Sequence, residues 1–468
     1  MSDKNKNPLT VTEPARQIKV FREVDVLVVG GGPGGTAAAI CAARSGAKTL
    51  LLERYGHLGG MATGGLVNII PNLSDISGRQ FLYGLNEEII RRLAKRGAAS
   101  FPAKKYRGSA DGQMVDGYHR AGLDWFYIRD DLNSDKKRII YTAVVDPEVF
   151  KDELNDMVLG SGAELLLHSW GVQPLINDNR VHGVIFESKS GRQAVLARVV
   201  IDSTGDGDIF AAAGADFDFT LNPKLRTAML ANVMWLTNVD VKKAVDFRSD
   251  ESEKFTDLME QAKSCGAHTH FFASTLQRHE NCVWFHIFHP RSDGLASDAV
   301  DVSELTRVDI EGRKKALLTY EFYRENVPGF ENATIMTISP QLGIQGGRRV
   351  IGEYTLSESD LAEDEVFPDT IAVFANNDNG PISAAHPALR IPYRTMIPRS
   401  VEGLLVACRA YSTTDAINHY FNIIPHCIAL GQAAGTAAAI AANASIQPRH
   451  VDYAVLQQRL KDQDVYIG

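Results

Sequence analysis

The sequence predicts an α/β fold, a Rossmann-type parallel sheet with a β-rich α+β segment inserted into it. Three observations predict it. A strand, a glycine turn and a small-residue helix follow one another at Val24–Ala43, reading VDVLVVGGGPGGTAAAICAA. A second strand runs into a glycine turn at Val199–Asp208, VVIDSTGDGD. A third apolar strand, within Val401–Arg409 (VEGLLVACR), precedes an Ala/Gly-rich helix at Pro425–Ala442. Continuous apolar runs of this length are the mark of parallel strands buried on both faces.

The first unit has the parts of a dinucleotide site. Gly30 makes the tight turn, Gly32 lets a pyrophosphate reach the backbone, and Gly35 lets helix and strand approach closely, with Pro33 and Gly34 between them. Phosphates then sit at the helix N-terminus, where free N–H groups and the dipole favour negative charge. The next strand, Lys48–Leu52, ends in Glu53, where an acid binds a ribose hydroxyl and disfavours a 2′-phosphate. A glycine-tight turn beside a surface glutamate is the competing reading. The strand–turn–helix–strand–acid order weighs against it.

Bulk properties narrow the rest. A chain of 468 residues exceeds what one core usually supports, so two lobes are expected. They divide as a discontinuous nucleotide domain (1–75, 138–215 and 395–468), an insertion at 76–137 and a substrate domain at 216–394. A net charge of −8 argues against nucleic acid as a partner. Five scattered cysteines give no disulfide framework and no metal or iron–sulfur spacing. The polar start, with Pro8 and Pro14, is unlike a secretion signal, and the longest apolar stretch, Ile428–Ala442, falls short of a bilayer. The expectation is a cytoplasmic protein without a membrane span. An assembly of several copies stays open.

Taken in order, Met1–Pro14 reads as a polar arm and Gln17–Phe21 as an edge strand. Arg54–Asn68, RYGHLGGMATGGLVN, holds five glycines, so its backbone can approach a flat ligand. His57 within it is either a covalent tether for such a ligand or a loop histidine bonded to backbone. Gly78–Arg96 has the 3.6-residue period of a helix, and Gly97–Lys137 is irregular enough to suggest a lid. Arg138–Val145 reads as a strand. Asp146 and Pro147 are the N-cap and first residue of a helix to Leu159. Alternating strands separated by Asn177–Asn179 and Ser190–Gly191 form a meander leading into the second glycine turn.

Beyond Phe217 the chain is β-rich, with one long helix, Ser303–Asn326, opened by Ser303. His268, His270, His279, His286 and His289 invite a metal reading. Strand alternation puts His286 and His289 on opposite faces, so none is predicted. The consecutive pair Arg348 and Arg349 also faces both ways, so one can meet a substrate anion while the other forms an ion pair. Tyr411–Ile424 reads as irregular. The helix after Pro425 can aim its N-terminus at a ligand.

Three blocks, GGGPGG…LLLE…HLGGMATGG, IDSTGDGD and GLLVACRAYSTTDA…ALGQAAGTAAAIA, resemble the FAD-dependent oxidoreductases of the glutathione-reductase-like superfamily. Within it the chain looks like the group that closes on a GQAAG helix, with a distant likeness to fumarate reductase and succinate dehydrogenase flavoproteins. PGFENATI, GGRRVIGEY and IPYRTMIP resemble it too. The resemblance implies a Rossmann domain holding extended FAD. Adenine and ribose lie near Gly30–Glu53, the diphosphate at the first helix, and the isoalloxazine against the HLGGMATGG loop and the closing helix. It assigns to the cofactor Gly30, Gly32, Pro33, Gly34, Gly35, Glu53, Arg54, His57, Gly59, Gly60, Met61, Ala62, Thr204, Gly205, Asp206, Arg409 and Gln432.

Departures fall on residues that would face substrate. Gln345 and Gly346 stand where members often carry Arg and an acid, Thr414 where they carry His, and Phe421 where they carry Arg. The expected reaction is hydride transfer to FAD from a small organic substrate, with a base removing the accompanying proton. His419, beside Tyr420, is the candidate base. Tyr393, Arg394 and Arg348 are candidates for orienting a substrate that these arginines suggest is acidic, although ion pairs with Glu353 or Asp415 explain them equally. An NAD(P)H-dependent flavin monooxygenase, an electron-transfer flavoprotein subunit and a redox-neutral use of FAD are the alternatives. The sequence does not identify the electron acceptor.

Overall fold

The computed structural model describes residues 10–362, 366–376 and 388–468. Its central feature is a seven-stranded sheet. Val26, Leu27, Val28 and Val29 bury both faces of the first strand, Lys19–Val29, between parallel neighbours Thr49–Leu52 and Gly191–Asp202. Glu164–Leu166 extends the sheet on one side. On the other, Gly191–Asp202 pairs parallel with Leu404–Val406 and antiparallel with Arg180–Ser188, which pairs in turn with Trp170–Asn177. The meander is as the turn signals predict. The separate edge strand expected at Gln17–Phe21 is instead the leading part of the first strand, with Lys19 opposite Gln193.

Register aligns the strand exits. Val29 lies opposite Asp202, and Asp202 opposite Val406, so three distant chain segments leave the sheet at one edge. The first helix, Pro33–Arg44, and the closing helix, Ile424–Ala444, stack against each other on one face. The closing helix is longer than the run read from sequence. It is apolar and long enough to cross a membrane, yet most of it is buried in the protein core.

Several boundaries differ from expectation. The helix read from Gly78 begins at Leu85, because Gly84 takes φ +56 and turns the chain before it. Arg138–Val145 splits into strands Lys137–Ile139 and Ala143–Val145. The long helix, Val302–Asn326, is capped by Asp301, whose carboxylate accepts from Ser303 N–H, rather than by Ser303. The segment expected to be irregular after Tyr411 contains a helix, Asp415–Phe421, capped by Thr414.

A second, five-stranded sheet centres on Leu230–Thr237 and Val283–His289. One face, with Met234, Leu236, Phe285 and Ile287, packs on Ala316 and Tyr323 of the long helix. The other, with Val233, Trp235 and Trp284, packs on Leu66, Phe126 and Val144. Segment 97–137 contains the helices Gly112–Arg120 and Asp124–Tyr127, and Trp125 and Phe126 join Phe272 and Trp284 in an aromatic cluster. Leu356, Ile371, Ile391, Tyr393 and Ile397 pack in the core of the first and closing helices, not with the second sheet. Among the described residues no group of three His, Cys, Asp or Glu side chains is placed to hold a metal ion.

Candidate cofactor and active site

The glycines of the first turn divide by what stands beside them. A Cβ on Gly30 would lie 2.4 Å from the Ser203 carbonyl, and φ +98 excludes other residues as well. On Gly34 it would meet the Ala407 carbonyl at 1.9 Å, and on Gly35 the Gly30 carbonyl at 1.8 Å. These three let neighbouring strands and helix close up. Gly32 differs: no atom lies within 4 Å of its Cβ position. It caps the first helix with Pro33 at the first turn, and Gly32, Pro33 and Gly34 border open space.

That space is a cleft of about 410 Å³. Glu53, Arg54, Tyr55, Trp170, Met61, Arg226, Gln341, Gln345 and Asn422 are among the residues that line it. The Glu53 carboxylate accepts from Gly31 N–H at 2.6 Å and Tyr55 N–H at 2.7 Å, and each oxygen keeps lone-pair capacity for a hydroxyl. Burial raises its pKa, and the amide bonds oppose that.

The second glycine turn is built by Asp202, which the sequence reading passed over. Its carboxylate accepts from Thr204 N–H and Oγ1 and from the Ile209 and Phe210 amides. Burial pushes this carboxyl up to about 6. The turn then presents Asp206 to Arg409, 2.7 Å away. Burial raises the Asp206 carboxyl and Arg409 pulls it back down.

Of the predicted cofactor residues, Gly30, Gly32, Pro33, Gly34, Glu53, Arg54, Gly60, Met61, Thr204, Gly205, Asp206 and Arg409 line this cleft. Gly35, Gly59 and Ala62 are not among the lining residues. Gln432 does not reach it: its Oε1 accepts from Leu85 N–H, and its Nε2 donates to Gln463, across the other side of the closing helix. His57 stacks on Tyr55, with Nδ1 3.3 Å from the Leu58 carbonyl and 3.5 Å from Thr63 Oγ1, outside the lining. These contacts are local to the loop, and burial lowers the histidine's pKa.

The structure does not bring the four candidate catalytic residues to the cleft wall. His419 lies one layer behind, where its Nδ1 accepts from Arg226 N–H, so that lone pair is committed to backbone. Tyr393 is wholly buried and donates to the Pro448 carbonyl. Arg394 pairs with Asp369 at 3.0 Å, and Arg348 with Asp208 at 3.2 Å. Both members of the double arginine are ion-paired, since Arg349 holds Asp218. The partners are Asp208, Asp218 and Asp369, where Glu353 or Asp415 had been considered. Asp415 is a longer contact of Arg349, at 3.9 Å. Polar groups that do line the cleft include Arg226, Thr306, Asp309, Gln341, Gln345 and Asn422. Gln345 stood out as a departure from the family pattern; Arg226, alone in NPKLRTAML, carried no signal.

A sequence model described as FAD dependent oxidoreductase matches residues 25–460. The chain belongs to that family. Over 193 residues the oxidoreductase is 29% identical to digeranylgeranylglycerophospholipid reductase 1 of Methanopyrus kandleri, spanning 39% of this chain and 40% of that protein. Over 139 residues it is 34% identical to the thioredoxin reductase of Aquifex aeolicus, spanning 30% of this chain and 34% of that one. The alignments thus reach two-fifths or less of those relatives' length. A geranylgeranyl bacteriochlorophyll reductase-like protein from Thermoplasma acidophilum aligns with 94% of this chain and 83% of its own, at 16% identity and a TM-score of 0.45.

The residues present fit the family's FAD. The open side of Gly32 admits a diphosphate, the Glu53 carboxylate can take ribose hydroxyls, and buried Arg409 Nε and Gln341 Nε2 have no hydrogen-bond partner within the described protein.

Proposed function

We propose that the oxidoreductase seats FAD extended along this cleft, adenosine at Glu53 and Tyr55, diphosphate at Gly32–Gly34, ring system toward Met61 and Gln341. There it oxidises a small organic substrate. The observation that carries the seating is Gly32, open on the one side where its neighbours Gly30, Gly34 and Gly35 are closed. When bound, FAD supplies acceptance of a hydride. The chain's part is to bind and orient. Amides of the first helix turn hold phosphate charge. Asp202 fixes the Thr204–Asp206 turn, and Asp206 holds Arg409 against the cleft.

The three ion-paired arginines lend no support to an acidic substrate; the arginines that line the cleft are Arg54, Arg226 and Arg409. No Cys-x-x-Cys pair is present, so dithiol chemistry of the thioredoxin reductase kind is not part of this reading. The GQAAG closing helix supports membership of the group that shares it. Residues 1–75, 138–215 and 395–468 form the cofactor part in this reading, and the second sheet forms the substrate wall. Segment 76–137 supplies no residue to the cleft lining.

The test is a spectrum of the purified protein, acid denaturation, then an anaerobic substrate screen followed by bleaching of the flavin band. A yellow protein that releases its FAD into acid, as expected with His57 bonded locally, and bleaches with substrate supports the reading. A well-folded colourless protein that refuses added FAD ends it.

A further inference from the structure

Four carboxylates line the cleft among the described residues: Glu53, Asp206, Asp208 and Asp309. The first three are claimed by the protein. Glu53 accepts from two backbone amides, Asp206 from Arg409 at 2.7 Å and Asp208 from Arg348 at 3.2 Å. Asp309 differs. Its Oδ1 is shielded from solvent and has no hydrogen-bond partner within the described protein. Its ion-pair contact among the described residues is Arg313 Nη2 at 3.8 Å, beyond hydrogen-bonding reach, and that nitrogen lies 3.5 Å from the Ser339 carbonyl.

Packing sets where this acid stands. It follows Leu305 by one turn of the long helix, and Thr306 between them lines the cleft too. Leu305 packs with Leu342 and Ile344, which line the cleft from the segment after the Thr334–Ile338 strand. Gln341, in the same segment, donates its backbone N–H to the Gly64 carbonyl at 3.3 Å. That bond rests the segment on the glycine loop against which the ring system of FAD lies in the reading above. Arg226, on the same lining, donates to Gln345, Asn422 and the His419 carbonyl, and Asp309 takes part in none of those bonds. A carboxylate with unfilled lone pairs therefore borders an aliphatic wall. Its side chain keeps 40% exposure, so an entering molecule meets it.

We propose that the substrate carries a protonated amino group on an aliphatic body, and that Asp309 selects it. An ammonium brings charge and three N–H donors to an acceptor that the fold leaves unmatched. Its carbons lie against Leu305, Leu342 and Ile344, out of water. A hydroxyl offers the carboxylate a donor without the charge, and an acid brings like charge to it, which costs affinity. The order of preference is amine, alcohol, acid. Asp309 determines specificity here and leaves hydride transfer to the cofactor unchanged. The competing account is a surface pair of residues four apart on one helix, Asp309 with Arg313. The proposal rests on FAD occupying this cleft.

Binding of hexylamine, 1-hexanol and hexanoate, which share one carbon body, is read at neutral pH as a shift of the flavin band in FAD-loaded protein. Wild type is expected to hold hexylamine at least about tenfold tighter than 1-hexanol, with hexanoate weakest. Asp309→Asn is expected to lose at least about tenfold in hexylamine affinity while staying within about threefold for 1-hexanol. Thr306→Lys sets a cation on the same helix face and is expected to weaken hexylamine and favour hexanoate. Arg313→Gln is expected to hold hexylamine as tightly as wild type or tighter. Equal affinity of wild type for the three compounds, or unchanged hexylamine affinity in Asp309→Asn, overturns the proposal. So does a loss in Arg313→Gln that matches the loss in Asp309→Asn, because the pair is then structural. Should Asp309→Asn not fold, Thr306→Lys and Arg313→Gln decide. A wild-type protein that refuses FAD removes the seating instead, and calorimetric titration of the same three compounds then decides on Asp309.

Discussion

Gly32 has room on its protein side for a methyl group and a φ of −67 that alanine adopts, so any intolerance there must come from a ligand. Gly32→Ala is expected to leave the unfolding free energy of the FAD-free protein within about 1 kcal/mol of wild type, the cost of an alanine N-cap. FAD affinity is expected to fall at least about tenfold, or 1.4 kcal/mol. Thermal melts of the FAD-free protein and FAD titration by fluorescence check the two halves. Equal FAD affinity would remove the phosphate from this turn. At this scale the sequence is legible where backbone geometry demands one residue type, as at Gly30, Gly35 and Glu53. It is illegible where a side chain's meaning lies in its partner. Arg348 and Arg394 read as substrate ligands because nothing in their neighbourhoods announces Asp208 or Asp369. His419 reads as a base because its bond to the Arg226 amide spans 193 positions. Asp202 reads as the end of a strand, although its carboxylate holds the whole second turn.

The closing helix shows how much an element's surface can dictate. Gly431 and Gly435 are one turn apart, and a Cβ on either would strike the first helix, at the Gly34 carbonyl (2.0 Å) or the Ala38 carbonyl (2.2 Å). Small residues here set the spacing of two helices whose N-termini both meet the cleft. Gly435→Val is expected to cost about 1–3 kcal/mol by overpacking, seen as a lower urea midpoint, and to weaken FAD binding as the first helix shifts. Gly160→Ala, at a helix end with open space around it, is the control and is expected to change neither. Periodicity and composition revealed this helix and the Pro147–Gly160 helix with its Asp146 cap. They misplaced the start at Gly78 because Phe81 and Leu82 keep a helical spacing while packing from an extended loop, Leu82 into the main core and Phe81 against Val373 and Ala375. The cap at Asp301 was missed for a related reason: Ser303 and Asp301 are both good caps, and only the local backbone chooses.

The two sheets are tied at the scale of the whole molecule by one acid. Asp146, capping the Pro147–Gly160 helix, also accepts from His279 Nε2 at 3.1 Å and Arg278 Nη1 at 3.2 Å, both from the loop before the second sheet's Val283–His289 strand. The bond to Asp146 raises the His279 pKa from 6.5 to about 9. Burial pushes the Asp146 carboxyl up, but the bonds from His279 and the helix amides outweigh it and bring it to about 2. The histidine contribution is thus complete below pH 6.5 and is lost as pH rises through about 9. The aspartate contribution is complete above pH 3.8 and is lost as pH falls through about 2. Between those ordinary values the pair acts in full. Wild type is expected to lose about 1–2 kcal/mol between pH 6.5 and 9.5 that His279→Gln does not lose, after discounting for the partial exposure of the imidazole. Denaturant melts across that range check it, and parallel curves for the two proteins would count against the pairing.

The alignment of Val29 with Asp202 and of Asp202 with Val406 also bears on when the protein becomes competent during its birth. A ribosome extruding this chain releases the Gly30 turn before its packing partners at Ser203, Ala407 and Gly431, which lie far along the sequence. Contacts of such sequence separation form slowly. A nascent chain therefore carries an unpartnered glycine turn until those segments have emerged, and cofactor capture waits for them.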